Sequence, residues 1–400
     1  MGSLISVGDA LLQMKTSHYL NVITARSRWT AVTFFVLAFL LLISPISASD
    51  TPSGEFHGAI ETPHPSWFKE SFLDFREDIA EASADGKRVL LYFWQRGCPY
   101  CNQLVTDNLA HPDIAQTVRA HFDLIAINRW GDREVIRVDG QMFSEKTLAA
   151  ALRVQFTPTL LFFDESGRIV LRLDGYYPPA DFLKAMEYVY LQRENEESFH
   201  NYLMDDRRDG TLVKSEVEEW FMQPPYRLNR HIGNASRPLA VFFERVACSQ
   251  CDILHHQVMR EPLTHQLVKR FDNVLLDAAA QTPVITPSGA TTTAARWAKE
   301  LDINYFPTVV LFDPNGTEIV RAEAAFRTFH MQSLFDYVLT GAYRTQPSLQ
   351  RYLSTRSELL REAGYDVDIW SYDLPISFDG QSVSLEKIQA VTGGVAAVGD

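Results

Sequence analysis

The chain has 400 residues, and 46% of them are hydrophobic, so at roughly 100 to 200 residues per domain it can form two to four domains with apolar cores. Its 37 Lys and Arg residues and 50 Asp and Glu residues give a formal net charge of −13, and no run of basic residues could neutralise a row of phosphates. The composition therefore excludes a disordered or collagen-like chain and argues against a nucleic-acid partner.

The N-terminal region contains a charge-free apolar stretch, residues 29–49, that follows Arg26 and Arg28. The stretch ends in small residues around Ala48, and its apolar core is short for a membrane span of about 20 residues. This pattern predicts that residues 1–48 are a secretory signal peptide and that the chain is exported. An uncleaved membrane anchor is the alternative interpretation of the same residues.

The four cysteines form two Cys-x-x-Cys pairs, and the sequence around each pair repeats. Cys98 and Cys101 lie 150 positions before Cys248 and Cys251. In both copies an apolar run ending in aromatic residues precedes the cysteines, and a Pro-Thr step with a second apolar run follows them. These runs are residues 90–94 and 158–163 in the first copy, and residues 239–243 and 307–312 in the second. Two copies of one domain are therefore predicted.

Each copy shows the same order of predicted elements. In the first copy the pattern indicates strands at residues 89–94, 124–128, 159–163 and 169–173, and helices at residues 101–109, 112–122, 144–154 and 181–189, with Ser144 as a helix cap. The second copy repeats this order, with a hairpin turn at Asn315-Gly316 and a last helix at residues 331–339. Residues 281–293, rich in Thr, Ala and Pro, are predicted to be a mobile loop.

The order of elements predicts an α/β fold with two tandem domains, each a mixed central sheet flanked by helices. The repeat also sets the predicted boundaries. They are residues 66–195 for the first domain, 196–235 for a helical linker, 236–345 for the second domain and 346–400 for a C-terminal helical tail.

A strand that runs into Cys-x-x-Cys at the start of a helix is a thioredoxin-like redox signature. Cysteines three positions apart at a helix N-terminus lie on one face within reach of a disulfide, and the helix dipole favours the thiolate of the first cysteine. Cys98 is therefore predicted to be the nucleophile and Cys101 the resolving cysteine. Pro99 suits the first helical position, where its missing N–H does no harm. Cys248 and Cys251 are predicted to form a second, divergent catalytic pair.

Residues 66–190 resemble the thioredoxin superfamily, and more narrowly the exported thioredoxins found with bacterial sulfur-oxidation genes (SoxW-like). Three segments carry this resemblance: Gly97-Cys98-Pro99-Tyr100-Cys101, residues 128–135, and Val154-Gln155-Phe156-Thr157-Pro158-Thr159. Residues 347–370 of the tail match the same group less specifically. The Cys-Pro-Tyr-Cys tetrapeptide is also similar to that of glutaredoxins.

The resemblance implies what the site residues do. A cis peptide bond at Thr157-Pro158 would face the cysteines and offer its backbone to a substrate, and Phe306-Pro307 would do the same in the second copy. The implied substrate-binding residues are Trp94, Pro99, Tyr100, Thr157, Pro158, Phe306 and Pro307. The implied partners are protein thiols or disulfides and an upstream thiol-disulfide electron donor, in the periplasm, with attachment to the inner membrane if the N-terminal segment stays uncleaved. Neither a cofactor nor a metal is implied.

Both copies depart from the family pattern. Thioredoxins commonly bury an Asp six residues before the first cysteine, as a proton acceptor, and this chain has Tyr92 there. The second copy differs further: Phe242 stands at the position of Tyr92, Glu244 at that of Trp94, and Ser249-Gln250 at that of Pro99-Tyr100.

These differences predict that the two pairs are not equivalent. Arg96 adds a positive charge beside Cys98, whereas Glu244 adds a negative charge on the approach to Cys248. Because a nearby positive charge favours a thiolate and a negative charge disfavours it, Cys98 is predicted to be the more reactive cysteine.

A metal-binding alternative for the second cysteine pair stays open at this point. Cys248, Cys251 and His255 could share one helix face as zinc ligands. Since both cysteine pairs occupy the same place in the same repeat, the redox interpretation is preferred, and His255 and His256 are predicted to be surface side chains.

The predicted function is an exported thiol-disulfide oxidoreductase that reduces disulfides of partner proteins. The alternatives are a disulfide oxidase or isomerase, and a second copy that only binds substrate.

Overall fold

The structure is a computed structural model that describes residues 53–205, 219–230, 236–246, 248–324 and 326–393. The predicted signal peptide or anchor at residues 1–48 lies outside the described residues, as does much of the predicted linker. Within these ranges, no helix is both long and apolar enough to cross a membrane. The first element is a two-residue strand, β1 (Phe56–His57).

The first domain alternates helices and strands as predicted. Its elements are α1 (Phe75–Ala84), β2 (Arg88–Trp94), α2 (Pro99–Gln103), α3 (Pro112–His121), β3 (Phe122–Asn128), β4 (Glu134–Ile136), β5 (Met142–Ser144), α4 (Glu145–Ala151), β6 (Thr159–Phe163), β7 (Ile169–Asp174) and α5 (Pro179–Tyr190). Ser144 caps α4, and its hydroxyl accepts a hydrogen bond from the backbone N–H of Thr147. The predicted helix at residues 101–109 is interrupted, because Leu104–Leu109 is a wider π-helical turn.

The central sheet of the first domain has the order β3-β2-β6-β7. Strand β2 pairs in parallel with β3 and antiparallel with β6. Leu90 and Tyr92 on one face of β2 pack with α3 and α5, while Leu91 and Phe93 on the other face pack with α1 and α4. Because helices cover both faces, β2 is apolar along its whole length rather than alternating. The structure confirms the predicted mixed sheet flanked by helices.

The second domain repeats this arrangement after two short elements in the predicted linker, α6 (Phe199–Asp205) and β8 (Tyr226–Arg227). Its elements are β9 (Leu239–Glu244), α7 (Ser249–Ile253), α8 (Pro262–Val268), β10 (Asp272–Asp277), β11 (Pro283–Ile285), β12 (Thr291–Thr293), α9 (Ala294–Glu300), β13 (Thr308–Phe312), β14 (Glu318–Ala322) and α10 (Thr328–Leu339). The sheet order is β10-β9-β13-β14, with β9 parallel to β10 and antiparallel to β13. The two sheets therefore have the same topology, as the internal repeat predicted.

One local prediction is wrong in this region, and another is incomplete. Residues 281–293, predicted to be a mobile loop, form the hairpin β11–β12, in which Val284 pairs with Thr292. Thr residues favour extended backbone, and Gly289 supplies the positive φ of +91° in the connecting loop. The segment predicted to be a helical linker contains strand β8, because Tyr226 pairs with Val284 at the edge of this hairpin.

The C-terminal region is also less helical than predicted. It consists of α11 (Leu349–Glu362), β15 (Asp366–Asp368), β16 (Ile376–Phe378), β17 (Gln381–Ser382) and α12 (Leu385–Thr392). Strand β1 pairs in parallel with β15, so Phe56 lies opposite Val367 in the sheet β1-β15-β16-β17. Strands of two or three residues are too short to show a period in sequence, so the prediction of a helical tail does not include them.

A buried ion pair attaches α11 to the second domain. Arg356 of α11 is fully buried, and its Nε lies 3.4 Å from Oδ2 of Asp336 on α10. The hydroxyl of Tyr352 donates a hydrogen bond of 2.7 Å to the same carboxylate oxygen. Because a charge removed from water needs partners, these contacts fix α11 in one position on the second domain.

Candidate active site

The first cysteine pair lies at the start of α2, directly after β2. Cys98 is the N-cap residue, with extended backbone, and Pro99 is the first helical residue. The backbone N–H of Cys101 donates to Sγ of Cys98 at 3.0 Å. The two cysteines form a disulfide with a Cα–Cα distance of 5.2 Å. The Cys98 sulfur therefore occupies the place where the N–H groups of a helix N-terminus stabilise negative charge.

Thr157, the residue before Pro158, faces this disulfide. The Thr157-Pro158 peptide bond is cis. The hydroxyl of Thr157 donates to Sγ of Cys98 at 3.4 Å, and the carbonyl oxygen of Thr157 lies at the same distance from that sulfur. The structure thus brings the pair Cys98 and Cys101 together with Thr157 and Pro158, which lie far from that pair in sequence. The Sγ atom of Cys98 therefore has two hydrogen-bond donors, the backbone N–H of Cys101 and the hydroxyl of Thr157.

Aromatic residues surround the end of β2 behind the cysteines. Tyr92 is buried, its hydroxyl has no hydrogen-bond partner in the described part of the chain, and burial raises its pKa well above the usual range. The ring of His64 packs edge-on against Trp94, with a centroid distance of 4.7 Å, and against Tyr92 at 5.6 Å. Burial lowers the pKa of His64, so its imidazole is neutral at neutral pH. No sequence motif identified this residue.

Tyr100, inside the first motif, contacts the second domain. Its hydroxyl accepts a hydrogen bond of 2.7 Å from the backbone N–H of Arg327 and lies 3.3 Å from Nδ1 of His330. Its ring packs against Phe326 and against Trp370 of the C-terminal region. Burial lowers the pKa of His330 to about 4, so this side chain is neutral near pH 7. Tyr100 therefore joins the first motif to both later parts of the chain.

A cavity of about 240 Å³ lies beside Cys98. The first domain contributes Thr157 to its wall, the second domain contributes Phe329 and His330, and α11 contributes Leu353. Cys98 itself is only 3% exposed. The first disulfide therefore faces a space that three parts of the chain enclose together.

The second cysteine pair has the same backbone arrangement. Cys248 is the N-cap of α7, and the N–H of Cys251 donates to its Sγ at 3.1 Å. The pair forms a disulfide, again with a Cα–Cα distance of 5.2 Å, and the Phe306-Pro307 bond is cis. Phe306 stands where the first domain has Thr157, so the second site has no hydroxyl at this position. The guanidinium of Arg245 lies 5.1 Å from the centre of the Phe306 ring instead.

The comparison with protein families agrees with this geometry. The model of the thioredoxin-like domain matches the chain twice, at residues 75–190 and at residues 228–339, which is more than half of its length. The chain belongs to the thioredoxin-like family. No curated protein matches it.

Several solved structures are similar to part of this thioredoxin-like chain. A thioredoxin-fold protein from Helicobacter pylori is 23% identical, with a TM-score of 0.27, and the match covers 34% of this chain and 91% of that one. A thioredoxin from Thermus thermophilus is 28% identical, with a TM-score of 0.24 and coverages of 35% and 89%. The DsbH oxidoreductase is 16% identical, with a TM-score of 0.23 and coverages of 33% and 92%.

The thioredoxin-like second domain contains a buried pair that the sequence analysis interpreted incorrectly. His255, predicted to be a surface side chain, is largely buried, and its Nε2 lies 2.7 Å from Oε1 of Glu244. Glu244 is itself 4% exposed. Its charge therefore does not stand alone on the approach to Cys248. Arg96, in the first domain, lies 3.0 Å from Glu61, but both of these side chains are exposed.

The contacts of His255 also bear on the zinc alternative. Among the residues that the structure describes, no three His, Cys, Asp or Glu side chains are grouped as a metal site. The Nε2 atom of His255 is occupied by Glu244, and Cys248 and Cys251 are joined to each other.

Proposed function

We propose that this thioredoxin-like chain is a thiol-disulfide oxidoreductase that reduces disulfides through Cys98 and Cys101. The observation that carries the proposal is the environment of the Cys98 sulfur. It lies at a helix N-terminus, 3.0 Å from the N–H of Cys101 and 3.4 Å from the hydroxyl of Thr157. Both groups donate hydrogen bonds toward the sulfur, and such donors stabilise the thiolate that attacks a disulfide.

The reaction consists of two exchanges at one sulfur. The Cys98 thiolate attacks a substrate disulfide, a mixed disulfide forms, and one substrate thiolate leaves. Cys101 then attacks Cys98, which releases the second substrate thiolate and leaves the Cys98–Cys101 disulfide seen in the structure. The two protons of the dithiol end on the two released thiols, and two electrons pass to the substrate. A dithiol partner restores the reduced pair by the reverse steps.

The second domain is proposed to act mainly as a binding module for the first site. Phe329 and His330 line the cavity at Cys98. Phe306 provides no hydroxyl for Cys248, so the second pair lacks one of the two donors present at Cys98. These two observations favour a substrate-binding role over a second, equivalent redox centre.

Serine variants test the reaction. We expect Cys98→Ser to abolish the protein-dependent acceleration of the reduction of insulin and of bis(2-hydroxyethyl) disulfide by dithiothreitol. Cys101→Ser should accumulate mixed disulfides, detected by mass spectrometry, because the first exchange remains and the second is lost. The matched control is the double variant of Cys248 and Cys251 to Ser, which should retain most of the activity. Turnover by Cys98→Ser would remove the first pair from the mechanism.

We also propose that the chain is exported to the periplasm. The proposal is supported by the charge-free apolar stretch at residues 29–49 and the small residues around Ala48. N-terminal sequencing of the protein from a periplasmic extract is the test. A new N-terminus directly after Ala48 is expected for a cleaved signal, and an intact N-terminus in the membrane fraction would indicate an anchor instead.

A further inference from the structure

Access to Cys98 decides which disulfides can react with it. Exchange requires the thiolate to approach one sulfur of the substrate in line with the S–S bond, so the substrate disulfide must reach the Cys98 sulfur directly. In this structure Cys98 is 3% exposed and lines the cavity described above. A disulfide in a folded protein would have to bring two polypeptide segments into this space.

Contacts of Tyr100 hold the two domains together at the wall of the cavity. The Tyr100 hydroxyl is bonded to the backbone of Arg327, and its ring packs against Phe326. Phe156 of the first domain also packs against Phe326, with a centroid distance of 5.1 Å. Opening the site to a protein loop would break these contacts between the two domains, and each lost aromatic contact or buried hydrogen bond opposes the opening.

The size and lining of the cavity indicate a small ligand without charge. Its volume of about 240 Å³ is below the roughly 300–1,000 Å³ typical of sites for drug-sized ligands. Its wall is largely apolar, and none of its lining residues is Asp or Glu. His330 adds no charge near pH 7, because burial lowers its pKa to about 4. Arg96 lines the cavity only at its open edge, where its side chain is 85% exposed to water and lies 3.0 Å from Glu61.

We propose that this cavity binds a low-molecular-mass, uncharged disulfide, which exchanges with Cys98 while the two domains stay in contact. The proposal rests on the disulfide reduction proposed above and narrows its substrate class. The reaction is the exchange already written: the S–S bond of the small disulfide breaks, the Cys98–Cys101 bond forms, and two small thiols leave with the two protons of the dithiol. The reduced protein is the reductant, so one turnover needs no further reagent.

The test compares a small and a large disulfide in a single turnover. The full chain is reduced, freed of reductant and mixed with bis(2-hydroxyethyl) disulfide or with insulin at equal disulfide concentration. Alkylation and mass spectrometry of the peptide containing Cys98 and Cys101 give the oxidation rate. Each rate is divided by the rate at which dithiothreitol reacts with the same disulfide. This division corrects for the different intrinsic reactivities of the two disulfides toward a thiol. We expect the normalised rate to be at least tenfold higher for the small disulfide.

Two variants that fill the cavity test its role. Ser354 and Ala59 line the cavity and are exposed at its edge, so Ser354→Trp and Ala59→Trp should fold normally. Each should lower the normalised rate with the small disulfide at least fivefold. The control is Ala363→Trp, an exposed position at the C-terminal end of the same helix as Ser354 and outside the cavity. It should leave the rate unchanged within twofold.

The outcomes separate this proposal from the proposed function. A normalised rate with insulin equal to or above that with the small disulfide would overturn the cavity proposal and leave disulfide reduction standing. Unchanged rates in both filled variants would also overturn it. If neither disulfide oxidises the first pair, the proposed function fails and this proposal fails with it.

Discussion

The backbone N–H of Arg327 in the second domain donates a hydrogen bond of 2.7 Å to the hydroxyl of Tyr100, inside the first Cys-x-x-Cys motif. The same hydroxyl lies 3.3 Å from Nδ1 of His330. Since burial keeps His330 neutral, with a pKa of about 4, Nδ1 can accept the hydroxyl proton while Nε2 carries the ring hydrogen. The conformation of the first motif is thus tied to the second domain.

Removal of the Tyr100 hydroxyl should weaken this connection. We expect Tyr100→Phe to lower the free energy of unfolding by about 1–2 kcal/mol, because the N–H of Arg327 loses its acceptor in a mostly buried place. Urea denaturation measures the effect. Tyr176→Phe is the matched control, since Tyr176 lines the same cavity and is not the acceptor of the Arg327 N–H. Equal losses in the two variants would contradict the role given to the Arg327 contact.

The sequence predicted those parts of the structure that depend on local pattern. The apolar run before Cys98 and the Pro-Thr step at Pro158 recur in the second copy, and a repeated pattern of this kind determines a repeated topology. Contacts between the copies leave no such periodic signal. The bond from Arg327 to Tyr100 joins residues 227 positions apart, so it could be found only in the folded chain.

The electrostatics near Cys248 show the same limit. The sequence identifies Glu244 as an acidic residue, but it does not show that His255, eleven positions later, contacts its carboxylate. Burial of both side chains follows from the packing of the helix after Cys248 against β9. The sequence pattern predicts the element on which a residue lies. The electrostatic environment of that residue depends on neighbours that only the tertiary structure brings together.

The Glu244–His255 pair should contribute substantially to stability. We expect His255→Ala to lower the free energy of unfolding by about 3 kcal/mol, because the carboxylate of Glu244 would remain buried without its partner. His256→Ala is the control, since His256 is the exposed neighbour of His255. Thermal and urea unfolding of both variants at pH 7 give the comparison. A loss no larger for His255→Ala than for the control would show that Glu244 does not depend on this contact.

The two first cysteines should differ in reactivity for a reason other than the one predicted from sequence. Glu244 is hydrogen-bonded to His255 and Arg96 lies beside Glu61, so neither acts alone on its cysteine. The difference that remains is the hydroxyl of Thr157, 3.4 Å from Cys98, which Phe306 cannot replace at Cys248. We expect iodoacetamide to label Cys98 of the reduced protein before Cys248, with peptide mass spectrometry as the readout.

Variants at Thr157 isolate the contribution of its hydroxyl. Thr157→Val should slow the labelling of Cys98 about fivefold, since a hydrogen bond of this length contributes on the order of 1 kcal/mol to the thiolate. Thr157→Ser keeps the hydroxyl and should restore most of the rate. Equal labelling rates of Cys98 and Cys248 in the unmodified chain, or faster labelling of Cys248, would contradict the predicted asymmetry and favour two redox-active centres.

Glu323 should make the stability of the second domain depend on pH. Burial raises the pKa of its carboxyl to about 7, and Asp174 of the first domain acts in the same direction, whereas Arg321 opposes them. Nη1 of Arg321 lies 3.4 Å from Oε1 of Glu323. In the unfolded chain the carboxyl titrates near 4.5, so between these values the folded state binds more protons than the unfolded state. Stability from this group is fully present below about pH 4.5 and is lost as the pH rises through 7.

Replacement of Glu323 by Gln should therefore remove a pH-dependent cost of burying the charge. We expect Glu323→Gln to be more stable than the unmodified chain by about 2 kcal/mol at pH 8 and to show little difference at pH 5, because a neutral amide resembles the protonated carboxyl. Urea denaturation at several pH values between 5 and 8 measures the difference. Glu362→Gln, at an exposed position on α11, is the control and should give a constant difference across this range. A Glu323→Gln difference that does not grow with pH would show that the carboxyl titrates near its ordinary value despite its burial.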